Sequence, residues 1–190
     1  MERPKPSEVG AAIPGDGDWI QEAFQAHQAA LVSYVNQMLD DLELARDVVQ
    51  DAFLRLCRED TEALRDHARP WLFTVCRRRA LDLLRKERRM RPLSEADSRG
   101  WESPEPTPAT AAETSDHAGR AQQFLRRLPE NQREVLVLKF QHALSYQEIS
   151  GVTGLSVGNV GFLIHTGLKT MRRCLEAEPA PAGQPERRSP

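Results

Sequence analysis

Between Leu93 and His117 the chain changes texture, and that change divides everything else. The run SPEPTPATAAETSD within it consists of Pro, Thr, Ala, Ser and acidic residues, which cannot bury enough apolar surface to offset the entropy of ordering. It reads as a flexible acidic linker over 93–117. The same argument makes 1–18 and 177–190 disordered tails, the second through its PAPAGQPERRSP composition. Two segments remain, 19–92 and 118–176, with no internal repeat. Each is short enough to hold only one small core, which in this size range is feasible but marginal.

Both segments carry helical rather than strand periodicity, so the expected fold class is all-α: two small helical domains joined by the linker. In the first, Leu44, Val48, Val49, Ala52, Phe53 and Leu56 recur at spacings of three and four, one apolar stripe of a helix over about 43–58. Upstream, Phe24, Leu31, Tyr34, Val35 and Met38 fit a preceding helix. Downstream, Pro70 sits in the first turn of another that continues through Trp71, Leu72, Val75, Leu81 and Leu84.

In the second segment, Ser145 and Glu148 form an S-x-x-E capping box that opens a helix. Gly154 then marks a turn, and Ser156 is a second N-cap for a helix from Val157 to about Leu175. Ser150, Gly154 and Val160 supply the small residue, the turn glycine and the apolar crossing residue that a helix-turn-helix needs, with Leu155 and Leu163 as further core positions.

Several function classes drop out. Nothing approaches the run of about 20 apolar residues needed to span a bilayer, and the first eighteen residues lack a signal-peptide pattern, so a cytoplasmic protein without membrane insertion is expected. Cys57, Cys76 and Cys174 are scattered inside amphipathic segments and read as buried free thiols; with the five dispersed histidines they offer no metal-ligand spacing. No metal and no cofactor are expected. There is also no nucleophile motif or glycine-rich phosphate loop, so the chain is not read as an enzyme.

The net charge of −2 conceals a strong asymmetry. From Trp71 to Arg91, Arg77, Arg78, Arg79, Arg85, Lys86, Arg88, Arg89 and Arg91 are opposed only by Asp82 and Glu87, whereas from Asp40 to Glu62 acidic residues outnumber basic ones by eight to three. Opposite signs within one small domain imply two different partners. Opposite the apolar stripe of the acidic helix lie Asp47, Gln50, Asp51, Leu54 and Arg58. That row could be a merely solvated face, but an apolar Leu54 within it suits docking on a partner helix. Trp71 and Phe73 beside the arginines suit single-stranded DNA, where bases stack on rings and the backbone is held by charge; for Phe73, core packing is the better reading. In the second domain, Ser156, Asn159 and Phe162 lie where a recognition helix enters the major groove, with Lys169, Arg172 and Arg173 placed for phosphates.

Three long motifs stand in order: LARDVVQDAFLRL (44–56), RPWLFTVCRRRALDLLRKERR (69–89), and LPENQREVLVLKFQHALSYQEIS followed by GLSVGNV (128–150 and 154–160). Together they resemble regions 2 and 4 of RNA polymerase sigma factors of the sigma-70 superfamily, extracytoplasmic-function (ECF) class. The resemblance implies that Asp47, Gln50, Asp51 and Leu54 dock on the clamp helices of the β′ subunit of core RNA polymerase. It implies that Trp71, Arg77, Arg78, Arg79, Arg85, Lys86, Arg88 and Arg89, with the loop at 59–69, capture flipped bases and hold the melted strand of the downstream promoter element. It implies that Ser156, Asn159, Phe162, Lys169 and Arg172 read the upstream element of promoter DNA, that the linker crosses the RNA-exit region, and that an anti-sigma factor is an allowable partner.

Two departures stand out. Arg78 occupies a position where the family often has Asn, which bears on base preference. The recognition helix reads VGFLIHTG (160–167) where many members have a basic stretch, so phosphate contact is thinner, or Phe162 and Ile164 serve a protein contact. A stand-alone helix-turn-helix regulator is the alternative function, and it leaves the acidic face without a role. A decoy that occupies polymerase without supporting initiation is a third reading.

Overall fold

In a computed structural model of the chain, the described residues are 16–59, 61–90 and 123–177. They are helical without a strand, and the chain divides into two compact units. The linker at 93–117 and most of both tails lie outside the described residues.

The first unit is built from α1 (Asp16–Leu39), α2 (Leu42–Leu56), a short α3 (Thr61–Leu64) running into a 3₁₀ turn (Arg65–His67), and α4 (Ala68–Met90). α1 therefore begins inside the stretch assigned to the N-terminal tail. Only Asp40 and Asp41 join α1 to α2. Asp40 takes a positive φ of 53°, a conformation Asp tolerates better than most residues. Asp41 is extended, and its side chain accepts a hydrogen bond from the Leu44 N–H at 2.9 Å, an N-cap that satisfies one of the donors a helix start leaves open. The cap places the start of α2 at Leu42, one residue before the sequence expectation, and the helix ends at Leu56 rather than near Arg58.

Leu31, Tyr34 and Val35 of α1, the α2 stripe, and Leu72, Phe73, Cys76 and Ala80 of α4 form the core. Phe24 meets Phe53 edge-on at 4.9 Å, and Tyr34 meets Phe73 at 5.2 Å. The α2 stripe is buried as the periodicity predicts, except that Leu44 is half-buried and Ala45 joins it. On α4 the outcome differs. Trp71, Val75, Leu81 and Leu84 are only half-buried, because the seam runs through Leu72, Phe73, Cys76 and Ala80, where small side chains let α4 approach its neighbours. Phe24 remains exposed despite its ring contact. Cys57, expected as a buried thiol, is exposed at the C-cap of α2; Cys174 is half-buried, and only Cys76 is fully enclosed. Burial pushes the Cys76 thiol up to about 12, since removing water disfavours the thiolate.

The second unit starts with a helical turn at 123–126. It continues through α5 (Glu130–Leu136), a π-helical turn (Val137–Gln141), α6 (Tyr146–Thr153) and α7 (Val157–Ala177). Widening to i→i+5 hydrogen bonding ends the helix: the His142 N–H reaches the Val137 carbonyl at 3.2 Å, Ala143 turns to a φ of 50°, and the Leu144 N–H closes on Leu138 at 3.0 Å. Phe124, Leu128, Val135 to Leu138, Leu144, Ile149, Val152, Val160 and Ile164 are buried. Leu155 and Leu163 are half-buried rather than core.

α7 lies against α5 and buries Val160, Ile164 and Gly167 along one side. A methyl group built on Gly167 would come within 2.8 Å of Leu136 Cδ1, so this glycine permits the close approach of the two helices. Ile164, offered from sequence as an outward protein contact, instead belongs to this seam and is 3% exposed.

Candidate functional site

Three helical surfaces carry the residues singled out by sequence. On α2, Asp47, Gln50, Asp51 and Leu54 follow one another at i, i+3, i+4 and i+7 and are all exposed, on the side opposite the buried stripe. Leu54 is 52% exposed. About half of this apolar side chain thus stays in water within an otherwise polar row. The exposed pair of Arg46 and Glu43 lies one turn away and contributes little to stability in water.

On α4 the basic residues separate by depth. Arg77 is half-buried, whereas Arg78, Arg79, Arg85, Lys86, Arg88 and Arg89 are exposed. Helical spacing sorts most of the exposed ones into adjacent rows, Arg78, Arg85 and Arg89 in one and Arg79 and Lys86 in the other. Asp82, in the first row, accepts from Arg85 at 3.1 Å and partly offsets its charge. Phe73 is fully buried, in agreement with the core reading, while Trp71 keeps part of its ring accessible. At the foot of α4 the Thr74 hydroxyl donates to the Pro70 carbonyl at 2.8 Å, closing the turn around the residue that lacks an N–H.

The segment expected as a loop at 59–69 is mostly helical, through α3 and the 3₁₀ turn. None of residues 62–67 is buried, and only Leu64 is half-buried. Arg65 lies over the Trp19 ring, 5.7 Å from its centre. Nearby, His27 of α1 has its pKa lowered by burial and by the charge of Arg69, both of which oppose a second positive charge.

In the second unit the capping box forms in both directions. The Ser145 N–H donates to Glu148 Oε2 at 2.6 Å, and the Glu148 N–H donates to Ser145 Oγ at 3.2 Å. The turn that follows has Gly154 at a φ of 76°, where a side chain would be strained. Across that turn the Ser150 hydroxyl donates to the Leu155 carbonyl at 2.6 Å, which explains the need for a small polar residue in α6. Ser156 Oγ accepts from the Asn159 N–H at 3.2 Å; its side chain is therefore first of all a cap.

Beyond the cap, Asn159, Phe162, Lys169 and Arg173 fall along one side of α7 and are exposed, with Arg172 beside them. Phe162 is 64% exposed. Residues 157–168 of α7 contain no Asp, Glu, Lys or Arg. Sequence reasoning gave Gly167 no packing role. Its place in the buried register of Val160 and Ile164 was the available signal for its packing role. Two further features escaped it, the exposed Phe140 in the π-helical turn and the ring of Trp19 under Arg65.

Among the described residues no helix is long and apolar enough to cross a membrane. The family described as Sigma-70 region 2 matches residues 23–90, and the family described as Sigma-70, region 4 matches 118–171. The ECF RNA polymerase sigma factor SigM of Bacillus subtilis is 28% identical over 142 residues, covering 74% of this chain and 85% of SigM. The RNA polymerase sigma factor CarQ of Myxococcus xanthus is 28% identical over 170 residues, covering 85% of this chain and 91% of CarQ. Among solved structures, the sigma factor RpoE of Bartonella quintana, in complex with the anti-sigma factor NepR, superposes with a TM-score of 0.63 at 20% identity, over 83% of this chain and 97% of that one. With both sigma regions matched in order on two helical units, the chain belongs to the sigma-70 family, ECF class, and is an RNA polymerase sigma factor directing transcription initiation.

Proposed function

We propose that the two units divide the work of initiation, with domains at 19–92 and 118–176. The α2 face of Asp47, Gln50, Asp51 and Leu54 docks on the β′ clamp helices of core polymerase. α4 and the segment at 59–69 capture and hold the melted strand of the downstream element through Trp71, Arg77, Arg78, Arg79, Arg85, Lys86, Arg88 and Arg89. α7 reads the upstream element as duplex through Ser156, Asn159, Phe162, Lys169 and Arg172. The chain acts in the cytoplasm, has no catalytic activity of its own, and is held in check by an anti-sigma factor, a reading supported by the NepR complex of its structural neighbour.

The observation that carries this division is the opposition of charge on the two exposed surfaces of the first unit, acidic with an exposed leucine on α2 and basic on α4. A protein surface with complementary charge fits the first, and a nucleic-acid backbone fits the second. A stand-alone regulator would need only α7 and leaves the α2 face without a role. Run-off transcription from a genomic template, with core polymerase and with or without the chain, tests the proposal. New start sites are the expected result, and their absence overturns it.

A further inference from the structure

The segment between α2 and α4 is short and exposed. α3 spans four residues and the 3₁₀ turn three, far below the length at which a helix holds itself together in water. Nor does the segment have a core to rely on, since none of residues 62–67 is buried. Contacts with neighbouring elements help to set its position. One such contact is at hand: Arg65 lies over the half-buried ring of Trp19, 5.7 Å from its centre.

Trp19 belongs to the first turns of α1, before residue 23, where the match to Sigma-70 region 2 begins. The matched pattern therefore does not account for it. Two turns further along α1, His27 senses the charge of Arg69, four residues after Arg65. The same helix thus faces both the segment and the foot of α4. An indole face is the strongest aromatic partner for a guanidinium, which stacks on it through both charge and planarity.

We infer that Trp19 is a positioning residue: by stacking under Arg65, the N-terminal turns of α1 brace residues 61–67 in the place from which they meet the unpaired promoter strand. The brace itself is a property of the free chain. Its consequence for promoter use rests on the function proposed above for this segment.

The test has two arms on the full-length chain. Backbone amide exchange of the free protein reads the brace directly, because exchange tracks local opening. W19A should speed exchange of residues 61–67 by about twofold to fivefold, the range expected for an exposed cation–π contact, and leave the core amides of α2 and α4 unchanged. W19F should recover most of the protection. R65Q should match W19A, and the double variant should be no faster than either alone. Unchanged exchange in W19A, additive effects, or faster exchange throughout the unit would each overturn the inference.

In the second arm, holoenzyme with each variant is assayed at a promoter found by run-off mapping, comparing the native base with substitutions in the downstream element. Reduced discrimination in W19A at unchanged affinity for core polymerase, restored by W19F, is the expected result. If the exchange arm succeeds but discrimination does not move, the brace stands and the segment's proposed role at the promoter falls.

Discussion

α4 and α7, 23 and 21 residues long, are the two helices proposed to face nucleic acid, yet their surfaces follow different chemistry. α4 displays rows of guanidinium groups along an exposed side and keeps its aromatic residues inside or half-covered. α7 begins with a hydroxyl cap, an amide and an exposed phenyl ring, and carries its cations only from Lys169 onward. A surface of the first kind gains affinity from the backbone whatever the sequence, and loses it as salt rises. A surface of the second kind contributes less affinity, but what it contributes depends on base edges. In the proposed division, tight holding falls to the first unit and upstream choice to the second.

The largest effect should come from reversing a charge on the side proposed to face polymerase. D51R is expected to weaken binding to core polymerase by about a hundredfold, since like charges brought together at an interface cost several kcal/mol. Asp51 is exposed, so thermal unfolding should not move. Retained binding would shift polymerase attachment to the second unit and break the contrast.

Removing Arg78 and Arg89 together should lower the salt dependence of holding the open strand by about 0.7 in logarithmic slope for each phosphate left without its cation. The matching pair on α7, K169A with R172A, should act on duplex binding alone. An unmoved slope for the α4 pair would mean that those arginines serve packing or ion pairs.

Two glycines sharpen the comparison inside α7. G161A should stabilise the second unit by up to about 1 kcal/mol through helix propensity, because the added methyl would meet only the Tyr146 ring at an ordinary 3.6 Å. G167A gains the same propensity but must displace the buried Leu136, at an overpacking cost of about 1–3 kcal/mol; net destabilisation is expected. Chemical denaturation followed by circular dichroism distinguishes the two signs.

The smallest effect is a pH dependence confined to the first unit. The folded-state pKa of His27 lies below its ordinary 6.5, first through burial and then through Arg69. The unfolded chain therefore binds this proton more readily than the folded one. Stability from this group is complete above about 6.5 and is lost as pH falls from there toward the folded value. H27Q should flatten that part of the stability–pH curve, and a curve unchanged by H27Q would assign it to other groups.

The sequence made the α2 stripe, both serine caps and the Gly154 turn legible because each depends on near neighbours: a period of three and four, a side chain reaching its own helix start, a backbone angle only glycine takes easily. α4 was harder. Leu72 and Phe73 are fully buried, but Trp71, Val75, Leu81 and Leu84, just as apolar, are only half-buried, since the three-helix junction also takes small residues such as Cys76 and Ala80 where backbones approach. Gly167 and Trp19 were missed for a related reason. What they do is decided by Leu136 and Arg65, distant partners that periodicity within one helix does not reveal.

The seam of Val160, Ile164 and Gly167 also bears on redesign. α7 is fixed to its unit by residues on one side and capped by Ser156, while Asn159, Phe162 and His165 point outward. Its leading turns therefore behave as an exchangeable cassette, into which other outward letters can be grafted without disturbing the scaffold. The limit on such grafts lies at Gly167, where any donor helix must also bring a glycine or be accompanied by a smaller residue in place of Leu136.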